Sequence, residues 1–130
     1  MGFRNALNYS KYTYDFSVDG GAVSAIDLSA KAGAEPLPLG AVIQDIAILV
    51  KTTCTSGGAA TVSVGNSASA TAYSAATAVA SLTAGALVTA AGVPNVINAA
   101  NEQDLKVDIA VAALTAGKIE VHVAYYLGDV

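Results

Sequence analysis

The chain has 130 residues, 54% of them hydrophobic and only 12% charged, with a net charge of −4. That length fits one domain able to bury a core unaided. A charged fraction so far below the usual figure of about 25% leaves a surface suited to burial against other subunits. The acidic balance and the scatter of the basic residues Arg4, Lys11, Lys31, Lys51, Lys106 and Lys118 argue against a nucleic-acid-binding face.

The N-terminus is polar and lacks the apolar run of a secretory signal. Residues 1–10 read as an arm carrying Arg4 and Tyr9, able to order on a neighbour. Residues 11–130 read as a single domain. Its dominant period is two, the period of strands. Tyr12, Tyr14, Phe16 and Val18 alternate with Lys11, Thr13, Asp15 and Ser17. Gly20-Gly21 punctuates the chain, and Ile26 and Leu28 then alternate with Asp27 and Ser29. Residues 31–40 form a loop containing Pro36 and Pro38, neither of which suits a central strand.

Ala41 to Thr53 is the strongest apolar run, with Ile46, Ile48 and Val50 on one face and Asp45, Ala47, Leu49 and Lys51 on the other. Leu49 breaks the clean alternation, which marks it for contact with a second layer or a neighbouring subunit. Thr55 to Gly65 holds Gly57-Gly58 ahead of the alternating Ala60, Val62 and Val64. This glycine-rich stretch leads into a strand, whereas phosphate-cradling glycines lead into a helix. It therefore reads as a β-hairpin turn, with glycine supplying positive φ. Asn66 to Asn101 reads as long Ala-, Ser- and Thr-rich loops with a short helix at Ala75–Leu82 and weak strands near Ala86–Thr89 and Val96–Ile97. Leu105, Val107, Ile109 and Val111 alternate next, then Ile119, Val121, Val123 and Tyr125, after a turn at Gly117.

No Asp, Glu, Lys or Arg occurs from Thr52 to Asn101. The stretch Ala75–Val93 has the length of a membrane span. It is too rich in Ala, Thr, Ser and Gly and lacks flanking basic and aromatic anchors, so no membrane segment is expected. Several short strands with glycine-rich turns and few helices indicate an all-β antiparallel sandwich or barrel.

No constellation for catalysis stands out, and no cofactor or metal is expected. The single cysteine, Cys54, excludes an internal disulfide and reads as a buried thiol. The single histidine, His122, falls on the polar face with Lys118 and Glu120. Glu102-Gln103-Asp104 is the one local acidic cluster, without calcium-loop spacing. Tyrosines crowd at Tyr9, Tyr12 and Tyr14 and at Tyr125-Tyr126, where they suit a core, a subunit contact or sugar stacking.

The segments GAVIQDIAILVKTTCTSGGAATVSVG (residues 40–65) and AALTAGKIEVHVAYYLGD (residues 112–129) resemble small structural proteins of tailed bacteriophages. The shared features are a hydrophobic strand, a Ser-Gly-Gly turn, a Val-Gly strand end and a Leu-Thr-Ala-Gly-Lys hairpin ending in Tyr. The resemblance implies a jelly-roll β-sandwich that decorates or cements a phage head. It also implies partners in the major capsid protein and in copies of itself, a trimer being favoured. Synthesis in the host cytoplasm and residence on the capsid surface follow from the same resemblance. The expected contact residues are Arg4, Tyr9, Tyr12, Pro36, Pro38, Leu49 and Tyr126. Two alternatives from other classes stay open: a head-fibre, tail or adhesion module binding carbohydrate on Tyr73, Tyr125 or Tyr126, and an enzyme using Cys54, His122 or a carboxylate pair.

Overall fold

A computed structural model describes residues 7–93 and 95–127. Among these residues, two antiparallel sheets face each other. The first runs β1 (Asn8–Asp15), β9 (Leu114–Leu127), β3 (Ala41–Ser56), β6 (Leu87–Thr89), and β7 (Asn95–Val96) also pairs with β3. The second runs β2 (Ser24–Asp27), β8 (Lys106–Ala110), β4 (Thr61–Gly65), β5 (Ser74–Ala78). The chain changes sheet at every step except β4 to β5 and β6 to β7. This is the connectivity of a jelly-roll sandwich.

The spine is the long pairing of β3 with β9, from Ala41 opposite Leu127 to Ser56 opposite Leu114. Inward alternation builds the core: Tyr12 and Tyr14 from β1, Ile46, Ile48 and Val50 from β3, Ile119, Val121 and Val123 from β9. Val62 and Val64 of β4 and Val107 and Ile109 of β8 meet them from the second sheet. Each such side chain contributes about 1.5–3 kcal/mol of transfer free energy. A register shift between Ile43 and Asp45 reverses the parity of β3, so Ala41 and Ile43 face inward as well as Ile46, Ile48 and Val50.

Several elements depart from the sequence expectation. The first strand stops at Asp15, whose carboxylate accepts the backbone N–H and hydroxyl of Ser17 and caps a one-turn helix, α1 (Phe16–Asp19). Asp27 does the same with Ser29 and ends β2 in a 3-10 turn over Leu28–Ala30. Val18 is consequently exposed rather than inward-facing. β8 ends at Ala110 because Val111 turns the chain with a φ of 72°.

The expected helix at Ala75–Leu82 is instead β5 followed by a 3-10 turn at Val79–Ser81. Pairing with β4, from Thr61 opposite Ala78 to Val64 opposite Ser74, outweighs the helix preference of alanine, which is well under 1 kcal/mol per residue. The weak strands expected near 86–89 and 96–97 are β6 and β7, one residue displaced.

Gly57-Gly58 is not a hairpin turn. β3 and β4 belong to different sheets, so residues 57–60 carry the chain across the sandwich, and neither glycine is in the positive-φ region. Gly117 is not a turn either; it lies buried within β9, with a φ of 146°. At the N-terminus β1 takes in Asn8, Tyr9 and Ser10, opposite Tyr125, Ala124 and Val123, and residues 1–6 of the expected arm lie outside the described residues. Among the described residues, no helix is long and apolar enough to cross a membrane.

Candidate interaction surfaces

The two open sides of the sandwich differ. On one side β1 and β2 are bridged by residues 28–40. The Lys31 ammonium donates to the Thr13 carbonyl at 2.6 Å and pairs with Asp19 at 2.8 Å. The Asp15 backbone N–H donates to the Asp19 carboxylate at 2.9 Å. The Tyr12 hydroxyl donates to the Glu35 carbonyl at 2.7 Å. Tyr12 is thus an anchor inside the protein, 2% exposed, and not the contact residue expected from the sequence. Its neighbour Tyr9 is 74% exposed on the same strand.

Pro36 is exposed and Pro38 half-buried, on either side of a fully buried Leu37. The Leu37 backbone is held from both directions by Gln103: its N–H donates to the Gln103 carbonyl, and its carbonyl accepts from the Gln103 amide. This fixes the proline loop and presents Leu39 to solvent. Arg4 lies outside the described residues.

The outer face of the first sheet carries Leu49 and Tyr126, both half-buried. Leu49 sits opposite Glu120 on β9 and Leu87 on β6, and Tyr126 sits opposite Val42. His122 lies between Lys11 and Ala47 on this face, with its Nε2 3.1 Å from Glu120. Partial burial pushes the Glu120 carboxyl up, but the His122 hydrogen bond and the charges of Lys11 and Lys51 outweigh it and leave the group below its ordinary value. Tyr125 faces the other way and packs against the core, as its alternation indicates.

The residues considered for chemistry are kept apart. Cys54 is buried on the inner face, its thiol pushed up by burial, whereas His122 is on the outer face. The Glu102 carboxylate accepts the backbone N–H groups of Asn98 and Ala99, and Asp104 accepts the N–H and hydroxyl of Ser67. Both acids therefore order loops. No cluster of metal-ligating side chains occurs among the described residues. Tyr73 is fully buried, with its oxygen accepting from Asn66, so it offers no platform for a sugar ring.

Exposed Val23, Leu39 and Leu87 are surface apolar residues that the alternation did not single out, and Val18 and Val111, which it placed with the apolar face, are exposed as well. Val18 and Val111 follow strand breaks that only the caps and the backbone turn reveal.

Comparison of the fold finds related architecture in viral shells. A chain of the cyanophage Pam1 capsid asymmetric unit superposes with a TM-score of 0.71 and 25% identity, covering 98% of this chain and 89% of that one. A chain of the acid-stable capsid of Helicobacter pylori bacteriophage KHP30 matches in fold, with a TM-score of 0.60 and 16% identity, over 95% of this chain and 90% of that one. No protein-family model and no curated protein sequence matches the chain. Because both alignments are nearly complete in both directions, the matched chains are small ones of similar length. The similarity to the Pam1 chain supports a phage capsid-associated structural protein.

Proposed function

We propose that this protein is a capsid decoration or cement protein, which binds the outside of a phage head and stabilises it by bridging capsid subunits. The observation that carries the reading is the end-to-end similarity to a small chain of a phage capsid asymmetric unit. The surface chemistry agrees. Few charges need desolvation on docking, and Tyr9, Pro36, Leu39, Leu49 and Tyr126 supply apolar and aromatic contact area. In this reading the protein works by covering a seam, not by catalysis, and its partners are the major capsid protein and copies of itself, with a trimer favoured. The arm and the Pro36–Pro38 loop are its first contacts.

Heads of the parent phage stripped of this protein provide the test. The purified chain is expected to rebind assembled heads far more tightly than free capsid protein, and to raise the temperature at which the heads release their contents. Equal affinity for free and assembled capsid protein, or no gain in head stability, overturns the proposal. Cys54→Ala and His122→Ala are expected to leave rebinding intact.

A further inference from the structure

The charge-free run from Thr52 to Asn101, so conspicuous in the sequence, folds almost wholly onto one side of the sandwich. Along the first sheet, charged residues stand on β1, β9 and β3, and none on β6 or β7. Along the second they stand on β2 and β8, and none on β4 or β5. Both sheets therefore grade in the same direction, from a charged edge at β1 and β2 to an uncharged edge at β5 and β6. The two uncharged edges are tied together, since the Gly92 N–H beyond β6 donates to the Tyr73 carbonyl ahead of β5.

We propose that copies of this chain meet each other through this uncharged β5–β6 side. The inference rests on the self-association included in the proposed function and assigns its surface. Two copies each carrying a net charge of −4 repel wherever their charged faces approach. The β5–β6 side is where they come together without apposing like charges or desolvating an ion. Among the described residues, no charged side chain closes these edge strands, although the Ala75 carbonyl of β5 accepts the hydroxyls of its neighbours Ser74 and Thr77. On the β1 edge, Lys31 and Asp19 close the outward carbonyl of Thr13 and N–H of Asp15. β5 has neither a charge nor a proline to block strand addition, and Ala75, Ala76 and Ala78 along it are exposed. Leu87 on β6, 69% exposed, supplies a large apolar side chain on the other uncharged edge strand, on the outer face of the first sheet opposite Leu49.

Sedimentation equilibrium of the full chain over a concentration range tests this, with Ala76→Lys and Leu87→Lys on the proposed side. Val23→Lys, at an exposed site beside β2, is the control. The wild type is expected to associate, and more strongly as salt screens its net charge. Each edge variant should weaken association by about tenfold or more, with unchanged circular dichroism, while Val23→Lys stays near wild type. If all variants associate alike, the surface assignment falls and self-association stands. If Val23→Lys is the variant that dissociates, the surface lies on the β2 side instead. A wild type that stays monomeric at every concentration and salt overturns the inference together with the self-association on which it rests.

Discussion

Gly117 on β9 lies directly against Cys54 on β3: a Cβ added to the glycine would sit 2.6 Å from the Cys54 sulfur. The glycine also has a φ of 146°, where side-chain-bearing residues are rarely found. Gly117→Ala therefore meets both backbone strain and overpacking, together about 3 kcal/mol. Thermal unfolding should fall by roughly 10 °C. Adding Cys54→Ala removes the clashing sulfur and should recover part of the loss but not the backbone part. Strict additivity in this double-mutant cycle would show that the sulfur contact has no role.

The two core tyrosines of β1 make the fold sensitive to alkali. Burial pushes both Tyr12 and Tyr14 up to about 12, and their hydroxyls donate to the carbonyls of Glu35 and Gly20. A tyrosine in the unfolded chain ionises near about 10. The folded state thus holds protons that the unfolded state has released, and stability is lost as pH rises from about 10 to about 12. The loss is on the order of 2 kcal/mol for each ring. Denaturant midpoints measured across that window should fall steeply in the wild type. They should fall less in Tyr14→Phe, which begins about 1 kcal/mol less stable because it lacks one hydrogen bond. Identical slopes in the two proteins would refute the assignment.

Much of the inner face of the sandwich was legible from period-two alternation. Tyr14, Ile46, Ile48 and Val50, Val107 and Ile109, and Ile119, Val121 and Val123 are buried on the face that alternates as read, and Tyr12 is buried with them although it was also expected as a contact. Strand ends and connections were harder. Asp15-Phe-Ser17 and Asp27-Leu-Ser29 each stop a strand through an Asp side chain that bonds the backbone two residues on, a local signal that alternation overruled. The Gly57-Gly58 link looked like a hairpin because both flanking strands were correctly placed. That those strands belong to different sheets is a matter of long-range pairing. β5 could not be read because Ser-Ala-Ala-Thr-Ala is strand only while β4 lies beside it. Among the contact residues, exposed Tyr9 and buried Tyr12 have the same residue type on one strand, and their parity separates them. The charge-free run was visible at once, but only the strand order shows that it occupies one side.

Acid should loosen the fold through two carboxyls. The hydroxyl and backbone N–H of Ser17 hold Asp15 below its ordinary value, and Glu120 is lowered by His122, Lys11 and Lys51 against the opposing effect of burial. Their charged forms are favoured by folding. The stability they provide is present above their unfolded values and is lost as pH falls through the folded ones. Denaturant midpoints should therefore decline on acidification, and Asp15→Asn or Glu120→Gln should flatten part of that decline while lowering stability at neutral pH. A variant that matches the wild type at both pH extremes would show that its carboxyl is uncoupled from folding.

Val111 is a β-branched residue with a φ of 72°, in the turn between β8 and β9, and its side chain is 73% exposed. A left-handed conformation costs such a residue about 1–2 kcal/mol. Burial returns little at that exposure. Val111→Gly removes the steric cost but makes the unfolded chain more flexible, which takes back part of the gain. The net expectation is a stabilisation of about 0.5–1 kcal/mol, a rise of roughly 2–3 °C in thermal unfolding. Val111→Asn, which tolerates the same backbone region, should also be stabilising. If both variants instead weaken rebinding to phage heads while stabilising the isolated chain, the strained valine is held for a contact on the shell. If both destabilise the chain, the valine side chain packs more closely than its exposure indicates.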